Sequence, residues 1–196
     1  MGHARPPGGA LGGRHRAVEQ LIRRYQKKVY AIAYQVCGFD AEEVTIAQLT
    51  DRFAARLQDR ARQARMELDL MMDDSLCDAT VRTDVSAVEQ IVANLVDNAC
   101  KYAAGAEDRR IHVQVQADPR WLRLRVTDHG PGLAADAARR LFRPFCRSAQ
   151  DAANSAPGVG LGLALSRRLA RRLGGDLVLV PSDIAGACFE LKLPFR

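Results

Sequence analysis

Residues 88–102, VEQIVANLVDNACKY, divide into an apolar face and a polar face when they are wound as an α-helix. The polar face carries Asn94, Asn98 and Lys101 within an arc of about 60°. Asparagine disfavours helix interiors because its side chain competes for backbone hydrogen bonds, so two asparagines one turn apart indicate either a binding role or an ordinary solvated face. The apolar face, which we expect to pack on a core, comprises Val88, Ile91, Val92, Leu95 and Ala99.

A second motif, Asp128-His-Gly-Pro-Gly132, follows the alternating segment WLRLRV at 121–126. An ionised aspartate only accepts hydrogen bonds, so it can receive an amino group such as the exocyclic amine of adenine and repels the carbonyl of guanine. The glycines let a ligand approach the backbone closely. The same residues also form tight turns, so this motif alone leaves a nucleotide site and a turn as alternatives.

A third motif, Gly158-Val-Gly160-Leu-Gly162, opens a predicted helix. Closely spaced glycines at a helix N-terminus expose backbone N–H groups to an anion such as phosphate, and the helix dipole adds to the attraction. The spacing differs from the dinucleotide-binding fingerprint, and no Lys-Ser or Lys-Thr follows as in a Walker loop. The motif therefore indicates a phosphate-binding lid or a flexible loop.

The periodicity of the remaining sequence predicts further helices and strands around these motifs. Residues 111–117 and 121–126 alternate apolar and polar side chains, which predicts a hairpin with one buried face. Asp84 or Ser86 is expected to cap the helix at 88–102. Mixed helices and mostly antiparallel strands predict an α+β fold, a two-layer α/β sandwich. The other predicted helices are 46–65, 134–141 and 161–173, and the other predicted strands are 66–70, 81–83, 177–180 and 188–193.

In their order and spacing the three motifs resemble the ATP-binding catalytic domain of sensor histidine kinases, within the gyrase, heat-shock chaperone, histidine kinase and MutL ATPase superfamily. The resemblance covers about residues 45–194 and implies a Bergerat-type fold, a mixed and mostly antiparallel sheet with helices on one face. Residues 94–102 resemble the N box of that family, 128–132 its G1 box, 142–145 its F box and 158–162 its G2 box.

The resemblance also implies a site for ATP and Mg²⁺. Asn98 would bind the metal through its amide oxygen, which suits the preference of Mg²⁺ for oxygen ligands. Asn94 and Lys101 would be catalytic and, with Tyr102, would lie near the phosphates, while Asp128 would contact adenine. The remaining nucleotide-contacting and hinge residues would be Gly130, Gly132, Gly158, Gly160, Leu161 and Gly162.

The residue at position 94 separates the branches of this superfamily. Its ATPases, and its serine-kinase members that act as anti-sigma factors, carry a glutamate general base four residues before the metal-binding asparagine. An amide cannot accept a proton at neutral pH, so Asn94 favours a protein histidine kinase over a fast ATPase. An ATP-binding regulatory module, or an anti-sigma-type kinase that acts through a partner protein, is the alternative.

None of the four histidines resembles the phosphoacceptor of such kinases, which is followed by an acidic residue. His3 and His15 lie in a predicted tail, His112 in a predicted strand and His129 inside the G1 box. The chain is therefore expected to be a catalytic fragment or to phosphorylate a histidine on another polypeptide. The implied partners are a histidine-containing dimerisation or phosphotransfer domain and a response regulator in a two-component phosphorelay.

Residues 1–16 have the Gly, Pro and Arg content of a flexible tail, and residues 17–44 are expected to form a helical appendage to an ATP-binding domain at 45–196. This helix could pair with a second copy through residues 18–36, or engage another partner, or pack on its own domain. The heptad seam consists of Val18, Ile22, Tyr25, Val29, Ile32 and Val36.

The composition bears on the number of domains, the location of the protein and the kinds of partner it has. The 196 residues are 47% hydrophobic, enough for one domain and an appendage. No apolar run approaches the ~20 residues of a membrane helix and no signal peptide is evident, so cytoplasmic location is expected, with a membrane-anchored parent protein as a compatible alternative. Arginine supplies most of the net charge of +6 without aromatic interleaving, so no nucleic-acid partner is expected. The five cysteines are scattered and are expected to be reduced.

Overall fold

The computed structural model describes residues 40–144, 160–182 and 184–195. The predicted tail at 1–16 and the predicted seam at 18–36 lie outside these residues. The helices are α1 (Ile46–Gln63), α2 (Val85–Tyr102), α3 (Ala135–Arg140) and α4 (Gly162–Arg172). The strands are β1 (Glu42–Thr45), β2 (Glu67–Met72), β3 (Thr80–Thr83), β4 (Arg110–Ala117), β5 (Trp121–Thr127), β6 (Asp176–Val180) and β7 (Cys188–Pro194).

Side-chain caps determine where the two long helices begin. At the start of α1, Gln48 N donates to Thr45 Oγ1 at 3.1 Å and Thr45 N donates to Gln48 Oε1 at 3.0 Å, a reciprocal capping box. At the start of α2, Ala87 N donates to Asp84 Oδ1 at 3.0 Å. Asp84 is therefore the cap rather than Ser86, and α2 begins at Val85, one turn before the predicted start.

The main sheet has five strands in the order β2-β4-β5-β7-β6, and β1 and β3 form a separate antiparallel pair. Strand β2 pairs with β4 in parallel, whereas every other neighbouring pair in the main sheet is antiparallel. The sheet is thus mixed and mostly antiparallel, and the predicted α+β fold and the predicted hairpin of β4 and β5 are both confirmed.

One face of the sheet packs against the helices. Apolar side chains alternate along β4 and β5, and those on this face are almost fully buried with Phe53 and Leu57 of α1 and Ile91 of α2 in one core. Burying each such side chain contributes about 1.5–3 kcal/mol, which holds α2 firmly on the sheet. The strand residues of this layer are Ile111, Val113 and Val115 in β4 and Leu122, Leu124 and Val126 in β5.

The opposite face of the sheet carries an ion cluster around Glu190 of β7. Arg125 Nε donates to Glu190 Oε2 at 2.6 Å, and Arg123 and Lys192 lie 3.3 and 3.4 Å from Glu190 Oε1. Burial raises the pKa of this carboxyl, but Arg125 and Lys192 outweigh it and hold the pKa below its ordinary value. Ion pairs around Glu190 therefore connect the charged side chains on this face of the sheet.

The N-terminal boundary of the domain differs from the predicted residue 45. Strand β1 pairs with β3 in a register that places Glu42 opposite Thr83, and the described residues from Ala41 onward belong to one compact unit. Residues 42–44, predicted as the end of a helical appendage, are therefore a strand of the domain. The sequence pattern missed this strand because four residues are too few to show a clear alternation of apolar and polar side chains.

Candidate functional site

The two faces of α2 separate as the sequence predicts. Asn94, Asn98 and Lys101 lie on the partly exposed face. The opposite side chains are at most 2% exposed, and they are Val88, Ile91, Val92, Leu95 and Ala99. Packing on the core therefore fixes the direction in which the polar side chains of α2 point.

Asn94 contacts the first two turns of α4. Its Nδ2 donates to Ser166 Oγ at 3.0 Å, and Ser166 is only 2% exposed. A Cβ atom placed on Gly162 would lie 2.3 Å from Asn94 Oδ1. Helices α2 and α4 can approach this closely at Asn94 because residue 162 lacks a side chain.

Asp128 is a buried carboxylate at the end of β5. Its Oδ1 accepts hydrogen bonds from Gly130 N at 2.8 Å and Ala187 N at 3.3 Å. Burial raises the pKa of Asp128, and these two N–H groups partly oppose that rise. Its Oδ2 accepts no hydrogen bond from any residue in the described ranges, so one oxygen holds the loop and the other is available to a ligand.

Three glycines bring the loop after Asp128 against two other segments. A Cβ on Gly130 would lie 3.1 Å from the carbonyl oxygen of Tyr102, the last residue of α2. Gly132 has φ +71°, and a Cβ there would lie 3.1 Å from the carbonyl oxygen of Gly186, in the turn before β7. These close approaches join the C-terminal end of α2, the Asp128 loop and the turn before β7.

The histidine of the Asp128 loop is paired with a histidine of the sheet. His129 Nε2 lies 3.0 Å from His112 Nε2, and the two side chains are 16% and 17% exposed. One imidazole donates and the other accepts at this distance. Asp69 Oδ2 lies 3.3 Å from His112 Nδ1, and Asp108 Oδ2 lies 3.5 Å from His129 Nε2. The contact between the two rings therefore ties the Asp128 loop to β4.

The last turn of α2 carries the other predicted polar residues. Lys101 Nζ donates to Tyr102 Oη at 2.9 Å and lies 4.4 Å from the centroid of that ring, and Tyr102 is 43% exposed. The amide nitrogen of Asn98 is buried and makes no hydrogen bond within the part of the chain that the structure describes. The Asn98 amide nitrogen is thus a buried donor without a partner among the described residues.

The glycine-rich motif is only partly described. Gly160 has φ +72°, the left-handed region that favours glycine, and Leu161 occupies the N-cap position of α4. Gly158 and Phe145 lie outside the described residues, so their predicted roles stay predictions. The described part of the predicted F box ends at Pro144.

The sequence motifs did not include three residues that shape this site: Ser166, Gly186 and Ala187. Each reaches a motif residue across a long sequence separation, Ser166 to Asn94 and the other two to Asp128. A glycine two residues before a predicted strand was the only local signal for Gly186, and nothing local marked Ser166. Such contacts arise from tertiary packing and leave no periodic pattern.

The chain is similar to a known protein family, to curated relatives and to solved structures. The sequence model of the family described as "Histidine kinase-, DNA gyrase B-, and HSP90-like ATPase" matches residues 83–196. The C4-dicarboxylate transport sensor protein DctB of Rhizobium meliloti (strain 1021) is 31% identical over 177 residues, which cover 90% of this chain and 26% of DctB. The chain spans between 12% and 31% of the length of the curated relatives it matches.

Solved structures are similar as well, and two of them give the extent of the likeness. The mycobacterial sensor histidine kinase MprB is 30% identical with a TM-score of 0.64, over 79% of this chain and 99% of that one. Full-length ShkA in complex with AMPPNP is 28% identical with a TM-score of 0.67, over 82% of this chain and 32% of that one. The similarity therefore extends over the whole of a solved histidine kinase chain.

Proposed function

The chain belongs to the family of histidine kinase-, DNA gyrase B- and HSP90-like ATPases, as the catalytic domain of a sensor histidine kinase, and we propose that it transfers the γ-phosphoryl group of ATP to a histidine on another domain or chain. One observation carries the proposal: α2 touches Gly162 of the glycine-rich motif at Asn94 and Gly130 of the Asp128 loop at Tyr102. A nucleotide could thus have its base at one motif and its phosphates at the other.

Asp128 would recognise adenine. Its Oδ1 is committed to two backbone N–H groups, which fixes the carboxylate, and its Oδ2 is available to accept from the exocyclic amine. Guanine would present a carbonyl oxygen to this carboxylate and be repelled. The ligand in the ShkA complex, AMPPNP, is an adenine nucleotide, which supports an adenine site in this family.

Asn98 would hold Mg²⁺, and the residues present fit that ion. The Asn98 amide has no hydrogen-bond partner for its nitrogen within the described ranges, and no group of three or more His, Cys, Asp or Glu side chains there is arranged for a metal. A cation would rely on this amide oxygen, phosphate oxygens and water, a ligand set that suits Mg²⁺. When bound, Mg²⁺ neutralises phosphate charge.

Asn94 and Lys101 would position the phosphates for transfer. Neither an amide nor an ammonium removes a proton from water at neutral pH, so the acceptor must supply its own nucleophile, as an imidazole does. The matched relatives are named as sensor proteins and histidine kinases, which favours transfer to histidine over the regulatory or anti-sigma-type alternative.

The partners would be a histidine-containing dimerisation or phosphotransfer domain and a response regulator. A homodimer through residues 18–36 stays a prediction, which light scattering and crosslinking can test. In the part of the chain that the structure describes, no helix combines the length and the apolar character that crossing a membrane requires. We propose that the chain works in the cytoplasm, where its phosphate donor is found.

The proposed transfer can be tested with γ-labelled ATP and an added dimerisation domain that carries a histidine followed by an acidic residue. We expect label on that histidine and slow ATP hydrolysis when the acceptor is absent. ATP binding without transfer would instead favour the regulatory module. Steady turnover without an acceptor would favour an ATPase in spite of Asn94.

Replacing Asn98 with alanine should remove the Mg²⁺-dependent part of ATP affinity. The substitution deletes the proposed oxygen ligand, and alanine is the best helix former, so the fold of α2 should persist. Calorimetry with and without Mg²⁺ measures the difference, and Asn98→Asp, which restores an oxygen ligand, is the control. A gain in ATP affinity on adding Mg²⁺ that is equal in wild type and Asn98→Ala would contradict the metal assignment.

ATP affinity should fall on acidification at a higher pH than an ordinary aspartate would give. Burial raises the pKa of Asp128 above 3.8, and only its ionised form accepts hydrogen bonds at both oxygens. Affinity should therefore be constant above the raised pKa and decline below it. Calorimetry across this range measures the effect, with circular dichroism to verify folding and a separate titration of free ATP as the correction. Affinity that stays flat after that correction would contradict the proposed contact.

A further inference from the structure

Ser166 is a buried hydroxyl in the second turn of α4, outside every motif that the sequence singled out. It is 2% exposed, and its Oγ accepts the hydrogen bond from Asn94 Nδ2 at 3.0 Å. A hydroxyl buried in a helix usually has a local backbone partner, but this one bonds a side chain of another helix. The bond therefore acts directly on the proposed catalytic asparagine.

An asparagine carboxamide has two flip states, and they present different chemistry at the same place. In one state the nitrogen faces the ligand and donates, and in the other the oxygen faces it and accepts. Here the nitrogen is used by Ser166, while the oxygen lies against Gly162 at the first residue of α4. The missing side chain at residue 162 leaves the space that the oxygen occupies.

We propose that Ser166 is a positioning residue, which anchors the Asn94 carboxamide to α4. This inference rests on the proposed function, since it assigns a purpose to the orientation of a catalytic residue. An acceptor at this point suits a site in which Mg²⁺ keeps water ligands, because those waters donate hydrogen bonds. The position of the Asn94 amide also depends on α4, whose first residue, Gly162, is the last residue of the glycine-rich motif.

The orientation can be tested first in the nucleotide-free full chain. We expect Ser166→Ala to shift the side-chain amide signals of Asn94 in a nitrogen–proton correlation spectrum and to speed their hydrogen exchange. The matched control is Ser86→Ala, the same change at an exposed site near the start of α2. Asn94 signals that stay unchanged in Ser166→Ala would overturn the proposal, whether or not the protein binds ATP.

The second arm measures phosphoryl transfer to an added dimerisation domain. We expect Ser166→Ala to lower kcat about fivefold to tenfold, the factor that one hydrogen bond is worth, with a smaller change in KM. In the background of Asn94→Ala the same change should have no further effect, and Ser166→Thr, which keeps the hydroxyl, should recover most of the rate. An equal loss in both backgrounds would mean that Ser166 only packs, and would overturn the proposal.

The two arms separate this inference from the proposed function. If wild type fails to transfer phosphate but the Asn94 signals still depend on Ser166, the proposed function is wrong and the contact has no catalytic purpose. If wild type transfers phosphate and Ser166→Ala does so at the same rate, the function holds and the positioning role is overturned.

Discussion

Replacing Asp128 with alanine is expected to abolish detectable ATP binding. The variant loses the carboxylate oxygen proposed to accept from adenine, and a charged hydrogen bond of about 3 kcal/mol corresponds to about a hundredfold in affinity. It also leaves the N–H groups of Gly130 and Ala187 without their acceptor, so the Asp128 loop should loosen. Both effects act in the same direction, and calorimetry measures the sum.

The controls for this prediction separate recognition from folding. Asp128→Asn keeps an oxygen for the two N–H groups but presents an amide nitrogen to the adenine amine, so it should fold normally and still bind ATP poorly. Asp59→Ala removes an exposed carboxylate of α1 that pairs only with Arg62 among the described residues, and it should bind ATP as wild type does. Wild-type ATP affinity in both Asp128→Ala and Asn98→Ala would show that the nucleotide lies elsewhere.

Replacing Gly186 with alanine is expected to cost at least about 3 kcal/mol of the free energy of unfolding. The residue has φ +127°, which side-chain-bearing residues rarely adopt, and its added Cβ would lie 1.8 Å from the carbonyl oxygen of Asp128. The obstacle is backbone, so the turn before β7 or the Asp128 loop must move. ATP affinity should fall with the stability, because the same added Cβ would also lie 3.1 Å from Asp128 Oδ1.

Urea unfolding provides the measurement, and Gly105 provides the matched control. A Cβ on Gly105 would meet no atom within 4 Å, so Gly105→Ala should leave the stability unchanged or raise it slightly. Equal unfolding midpoints for Gly186→Ala and Gly105→Ala would contradict the close approach between the turn before β7 and the Asp128 loop.

The parts of the fold that follow from local periodicity could be predicted from the sequence. The apolar face of α2 and the alternation in β4 and β5 are each set by residues near in sequence, so the helix and the hairpin were predicted. The parallel pairing of β2 with β4 was not, because it joins strands on opposite sides of a long crossover. The start of the domain was placed late for a similar reason: β1 is recognisable as a strand only through its pairing with β3.

The site residues divide in the same way, into those that local sequence marks and those that only tertiary packing brings in. Asn94, Asn98 and Asp128 were predicted as site residues because motif spacing marks them, although their roles stay proposals. The groups that orient them were not predicted, since the bond to Ser166 and the contacts of Asp128 with Gly186 and Ala187 exist only after α4 and β7 have packed. Motif spacing therefore marks the proposed site residues, but it does not mark the residues that orient them.

The parallel pairing of β2 with β4 has a consequence for the dynamics of α2. The helix lies within the connection between these two neighbouring strands, so it cannot leave the sheet unless one of the strands leaves its place or the connection stretches. The amide protons in the middle of α2 should therefore be among the slowest in the domain to exchange. Asn94 and Asn98 would then keep their spacing for as long as β2 and β4 stay paired.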